Sequence, residues 1–269
     1  MRGKGRFSGV PMTAKVLHKS GKWYLSVTLE VAAQGVARPA GTGAAAFDWG
    51  VTTLLTIALQ DGSIETIGNP RWLKRALETL KDLQRAVSIE EIKAKKTIGL
   101  GAADPIPKGT KLPITKKLRR LYAQVRAVHG KVARQRHDFY HKLSALLVSR
   151  FAFLGTEELA VATMTRRPKK KRAEDCAYLP SGASTKSVLN RSILDAAPHK
   201  FLMMIGSKAV EAETLFMQAN TKTLKPTQRC HRCGCLVPKT LADRMHRCEC
   251  GCVCGRDENS AQCLLRWML

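Results

Sequence analysis

Eight of the nine cysteines fall between Cys230 and Cys263, and only Cys176 lies elsewhere. A disulfide framework would spread its thiols over the loops it staples, so thiols gathered into about one eighth of the chain point to metal. Within the segment, Cys230-x-x-Cys233 is followed by Gly234, a turn that lets two thiolates meet one tetrahedral zinc. Fourteen residues later Cys248 and Cys250 supply a second pair, followed by Gly251, with "LVPKTLADRMHR" long enough to form the hairpin between them. The spacing predicts a structural zinc ribbon held by Cys230, Cys233, Cys248 and Cys250. Cys235, Cys252 and Cys254 remain as alternative donors. Four thiolates leave no open position for water, so this ion holds structure and performs no chemistry.

The charge balance names the partner class. Lys and Arg number 46 against 21 acids, a formal net charge of +25. Self-repulsion on that scale calls for a polyanion, and nucleic acid is the expected one rather than an anionic membrane. No run of eighteen apolar residues predicts a membrane span, and the basic start "MRGKGRFSGV" lacks the apolar stretch of a signal peptide. The expected setting is therefore cytoplasmic.

Along the chain, "MTAKVLHK" and "KWYLSVTLEV" alternate around "SGK" and predict a β-hairpin, followed by a linker "AAQGVARPAGTG". "AAAFDWGVTTLLTIALQDGSIETIG" reads as strand, strand, turn, strand. Helical periodicity runs from Arg71 to about Ile98, stops at the proline- and glycine-containing "GLGAADPIPKGTKLP", and resumes from Thr115 to Arg150, which predicts a helical hairpin. From Lys111 to Arg150 there are eleven Lys or Arg and one acid, Asp138. An ordinary solvated face mixes its signs, so Lys116, Lys117, Arg119, Arg120, Arg134 and Arg136 are expected to meet nucleic acid. The same holds for the polar loop carrying Arg166, Arg167, Lys169, Lys170, Lys171 and Arg172. Beyond it lies helical text interrupted at Asp195 to Pro198, where Asp195 is a candidate cap, and "TLFMQAN" reads as a strand.

Three acids each emerge from apolar text: Asp48 from "AAAFD", Glu157 from "FAFLGTE", and Asp257 just after the cysteine cluster at the head of a helical pattern. Taken singly they are a turn residue, an edge glutamate and a helix cap. Together they are what a pair of Mg²⁺ or Mn²⁺ ions about 3.5–4 Å apart requires for in-line phosphodiester hydrolysis.

"FDWGVTTLLTI", "LGTEELAV", "ARQRHDFYHKLS", "NRSILDA" and "KPTQRCHRCG…CECGCVCGRDENSA", in that order, closely resemble the TnpB (OrfB) proteins of insertion sequences, relatives of the compact type V CRISPR nucleases. The resemblance implies an α/β, RNase H-like (RuvC) nuclease fold with an inserted helical hairpin and a zinc ribbon. It also implies cutting of DNA under the guidance of an RNA, with Asp48, Glu157 and Asp257 as the catalytic carboxylates. The implied organisation is a remnant of an N-terminal β-barrel and linker over 1–40, a RuvC-like domain over 41–227 with the hairpin inserted at about 71–150, the ribbon over 228–255, and the last catalytic motif over 256–269. Family members usually carry over a hundred further N-terminal residues, so the chain reads as truncated. Two alternatives accompany the nuclease: a second polypeptide supplying the missing lobe, or a non-catalytic nucleic-acid-binding remnant or guide-binding regulator.

Overall fold

The computed structural model describes residues 9–19, 21–30, 41–168, 182–240 and 242–269. Lys169, Lys170, Lys171 and Arg172 of the basic loop fall outside them, as does most of the expected linker. The chain divides into two compact units, residues 1–35 with 72–138, and residues 36–71 with 139–269.

In the first unit, β1 (Val10–Lys19) and β2 (Lys22–Glu30) form the antiparallel hairpin that their alternation predicts. Apolar side chains stay uncovered on it, Trp23 at 74% and Val16 at 68% exposure among them. Among the described residues this two-stranded ribbon has no further strand to cover them. Helix α1 (Trp72–Lys96) and the first part of α2 (Lys116–Arg150) form the helical hairpin. Glu90 of α1 joins them by accepting from Lys117 of α2 at 2.9 Å, besides Lys93 of its own helix at 2.8 Å, and the Tyr122 hydroxyl donates to Glu91 at 2.6 Å.

The second unit is an α/β layer structure around a five-stranded mixed sheet. Strands β3 (Ala44–Trp49), β4 (Thr53–Leu59) and β5 (Ile64–Gly68) form an antiparallel meander. β6 (Phe153–Glu157) and β7 (Leu215–Ala219) add in parallel, giving the order β5-β4-β3-β6-β7. This is the arrangement expected of an RNase H-like fold. The two parallel joins need crossovers; α2 supplies the first, and α3 (Val161–Met164), α4 (Ala183–Ala196) and α5 (Pro198–Glu211) lie along the second. α6 (Thr221–Leu224) follows β7, capped by the Asn220 side chain.

Strand alternation decides what each sheet face meets. Ala44 and Ala46 of β3 face α7 (Arg256–Met268), joined by Ala58, Ala219 and by Ala261, Leu264 and Leu265 of that helix. Small residues there let the helix lie close to the sheet. On the opposite face, Phe47 packs on Phe201 of α5, whose ring meets Tyr140 of α2. Asp195 does not cap α5. That cap is Ala197, in the left-handed region at φ 41, and the helix starts on Pro198, whose fixed φ suits the first turn. Asp195 is buried in the last turn of α4.

The cysteine segment forms its own small hairpin, β8 (Met245–Arg247) against β9 (Val253–Gly255), which leads straight into α7. Among the described residues, no helix is long and apolar enough to cross a membrane.

Candidate active site and metal centre

Parallel pairing sets Ala46 opposite Gly155, so two residues further on Asp48 and Glu157 stand side by side at the C-terminal ends of β3 and β6, on the α7 face. Asp257 lies in the first turn of α7. Ser260, three residues on and hence on the same side of the helix, donates its hydroxyl to Asp48 Oδ1 at 2.8 Å. One helix thus presents a carboxylate and locks the orientation of a second.

All three acids line one cleft of about 740 Å³. Three cations line it too: Lys239, Arg244 and Arg256, the last with Nε 3.4 Å from Asp257. Asp48 is only 6% exposed. Burial first, and then the Glu157 carboxylate, push its pKa well above the usual carboxylate range, against the pull of the Ser260 hydroxyl. Burial likewise raises Glu157, opposed by Thr221. Two adjacent acids, Asp48 buried and Glu157 half-buried, that resist ionising together are a site short of positive charge. The three carboxylates do not all lie within 4.8 Å of one another, unlike the sulfur cluster below. A pair of ions about 3.5–4 Å apart accommodates that wider spread. The hard oxygen donors suit Mg²⁺ or Mn²⁺.

Sulfur chemistry dominates next door. The Sγ atoms of Cys230, Cys233, Cys248 and Cys250 all lie within 4.8 Å of one another. Cys230 and Cys250 are 3.7 Å apart, Cys233 and Cys248 3.5 Å. Tetrahedral zinc with ~2.3 Å bonds to sulfur requires edges of about 3.8 Å, so these four fit the ion. Cys235 belongs to no such group among the described residues; its carbonyl accepts the Cys230 N–H at 2.8 Å.

Asn259 ties this module to the cleft. Fully buried, it donates through Nδ2 to the carbonyls of Pro226 at 3.2 Å and Arg229 at 2.7 Å, and through Oδ1 accepts the His231 N–H at 3.1 Å. Arg266, at the far end of α7, donates to the carbonyls of His231 and Arg232. The first cysteine knuckle is therefore pinned to the helix that carries Asp257. Sequence reasoning missed Asn259, Ser260 and the cleft's three cations as working residues. The first two sit in "DENSA", two and three residues after Asp257, with nothing in the local sequence to mark their distant partners.

The expected nucleic-acid contacts are dispersed over separate elements. Lys116, Lys117, Arg119, Arg120 and Arg134 are exposed on α2, as are Arg166 and Arg167 beyond α3. Lys117 is engaged by Glu90, and Arg136 is half-buried with its guanidinium 5.9 Å from the Trp72 ring centroid. That contact gives Arg136 a structural role besides any contact with nucleic acid.

Comparison with known proteins gives a consistent picture. The family model OrfB_IS605, described as a probable transposase, matches residues 25–167, and one described as a Cas12f1-like TNB domain matches residues 199–264. A "Putative RNA-guided DNA endonuclease" of Streptomyces pristinaespiralis is 29% identical over 92% of this chain and 50% of its own length. The "Putative RNA-guided DNA endonuclease InsQ" of Escherichia coli K12 is 24% identical over 92% of this chain and 54% of its own length. The chain thus spans about half the length of the curated relatives it matches. Among solved structures, a CRISPR-Cas12f ternary complex aligns over 94% of this chain and 44% of that one, at 14% identity and a TM-score of 0.51, a likeness of fold.

Proposed function

Given that the chain belongs to the OrfB_IS605 probable transposase family, we propose that it carries the RuvC-type catalytic centre of a metal-dependent, RNA-guided DNA endonuclease encoded by a transposable element. The observation that carries this reading is the cleft in which buried Asp48 and half-buried Glu157 stand side by side with Asp257 on the α7 turn above them. Divalent ions held there would activate a water and stabilise the leaving oxygen of a phosphodiester. The chain's own residues do the positioning. Ser260 fixes the Asp48 carboxylate, α7 sets Asp257, and Lys239, Arg244 and Arg256 offer a cationic wall to the phosphates flanking the scissile bond. Zinc in the four-cysteine set would hold the knuckle to which Asn259 anchors α7. The exposed cations of α2 would bind guide or target backbone without reading sequence, since base pairing reads sequence in such systems.

The test is cleavage of guide-matched duplex and single-stranded DNA with Mg²⁺, with a chelator control, and with the N-terminal half of a longer relative supplied in a second arm. Asp48→Ala, Glu157→Ala and Asp257→Ala should each lower cleavage by ~10³-fold or more, without additivity, because loss of one ligand dismantles the site. Metal-dependent cutting that survives Asp48→Ala, or none in either arm, would replace this reading with a non-catalytic nucleic-acid-binding protein.

A further inference from the structure

The four-cysteine set leaves donors unused beside it. His231, Cys252 and Cys254 form a separate group in which one ring nitrogen and two sulfurs all lie within 4.8 Å of one another. Cys252 is buried, and His231 and Cys254 are half-buried. Cys254 lies in β9 and Cys252 just ahead of that strand, two residues apart, and both sulfurs lie close to the His231 ring in the first knuckle.

The tautomer of His231 is fixed by its surroundings. Asn259 must aim its amide nitrogen at the Pro226 and Arg229 carbonyls, which leaves Oδ1 facing His231, 3.1 Å from the backbone N and 3.1 Å from ring Nδ1. Nδ1 therefore carries the hydrogen and donates it. Nε2 is left with its lone pair, 4.0 Å from Cys252 Sγ, which lies 3.8 Å from Nδ1. A histidine held by a hydrogen bond at one nitrogen with the other free is the arrangement of a metal-ligating imidazole.

The other nearby histidine differs. His246, grouped with Cys230 and Cys252, has Lys239 Nζ 2.5 Å from its Nδ1. A lysine ammonium donating there places the hydrogen on Nε2, which suits an N–H facing thiolate sulfur rather than a ligand.

We propose that the cysteine module binds a second soft divalent ion, zinc, through His231 Nε2, Cys252 and Cys254, with water in the fourth position, beside the four-cysteine ion. Two thiolates and one imidazole match zinc's preferences, and the ion would replace thiol protons rather than displace any hydrogen bond named above. It would tie β9 to the first knuckle directly ahead of α7.

The experiment is elemental analysis of the full chain, purified with zinc and gel-filtered free of loosely held metal, with cobalt replacement as a second readout. Two zinc per chain are expected. Cys252→Ser and Cys254→Ser should each hold one, while Cys233→Ser should keep one in the second set. With cobalt, the thiolate-to-metal absorbance of Cys254→Ser should fall towards that of a four-cysteine site alone. One zinc per chain in the unaltered protein overturns the proposal, even if a variant fails to fold. Two zinc retained by both Cys252→Ser and Cys254→Ser overturns it as well. Neither readout depends on DNA cleavage, so a failure here is separable from a failure of the proposed function.

Discussion

Asp48 is costly where it stands. Its folded-state pKa lies above the unfolded value, so between the two the native state binds the extra proton. That contribution to stability is fully present below the ordinary carboxylate range and is lost as pH rises through the raised pKa; Glu157 acts in the same direction. Metal-free protein should therefore unfold at lower temperature as pH rises from about 4 towards neutrality, as far as these two groups control it. Asp48→Asn, which keeps an acceptor for Ser260, should raise the melting temperature of metal-free protein at pH 7. Mg²⁺ should then stabilise the unaltered chain and leave that variant almost unmoved. Differential scanning fluorimetry across pH, with and without Mg²⁺, checks both. Glu158 is exposed, with its backbone N–H bonded to the Ala219 carbonyl. Glu158→Ala should accordingly leave cleavage within a few-fold, whereas Glu157→Ala should lower it by ~10³-fold or more. Asp48 and Glu157 stand out in the sequence as candidates because each ends an apolar run, which burial penalises unless a cation compensates, and Asp257 because it follows the cysteine cluster at the head of a helical pattern. Ser260 and Asn259 do not. Their importance lies in partners 212 and about 30 residues away, and no local pattern encodes such pairs.

At the scale of elements, sequence pattern located β1 to β5, β7, α1 and α2, because hydrophobic spacing reports which face is buried, while β6 showed only as a short apolar run. The pattern could not report the alanine-lined contact between α7 and the sheet, since small residues carry little periodic signal. Gly155 shows how close that contact is: a Cβ there would come within 3.0 Å of Met268 Sδ and 3.4 Å of Ala46 Cβ. Gly155→Val should cost about 1–3 kcal/mol by overpacking and shift the helix that carries Asp257. A denaturant melt with a parallel cleavage assay reads both effects. Asn259→Ala removes a buried amide that joins α7 to the first knuckle, and should cost ~2–4 kcal/mol for its four hydrogen bonds. On α2, charge alone assigned six residues to nucleic acid, but contacts divide them. Lys116→Glu with Arg119→Glu and Arg120→Glu should weaken binding and flatten its dependence on salt by about three units of log–log slope. Arg136→Ala should instead lower stability by about 1 kcal/mol through loss of the Trp72 contact.

For the whole molecule, the cysteine cluster and the last acid are one construction. The β8–β9 hairpin runs directly into α7, and Asn259 and Arg266 fasten that helix to the first knuckle. Sequence showed the two adjacent in the chain; the structure supplies the hydrogen bonds that couple them. Zinc removal should therefore do more than loosen a satellite, and a Cys230→Ser/Cys233→Ser chain should lose its four-cysteine ion, stability and cleavage together. The central claim is that Asp48, Glu157 and Asp257 form one divalent-cation site. Manganese titration of the zinc-loaded chain, followed by the loss of the free-ion electron paramagnetic resonance signal at pH 7, measures it most directly. The account predicts saturable Mn²⁺ binding that Mg²⁺ displaces and that Asp48→Asn, Glu157→Gln and Asp257→Asn each weaken by at least ~10-fold. Binding that is absent in the unaltered chain, or unchanged in all three variants, would contradict it.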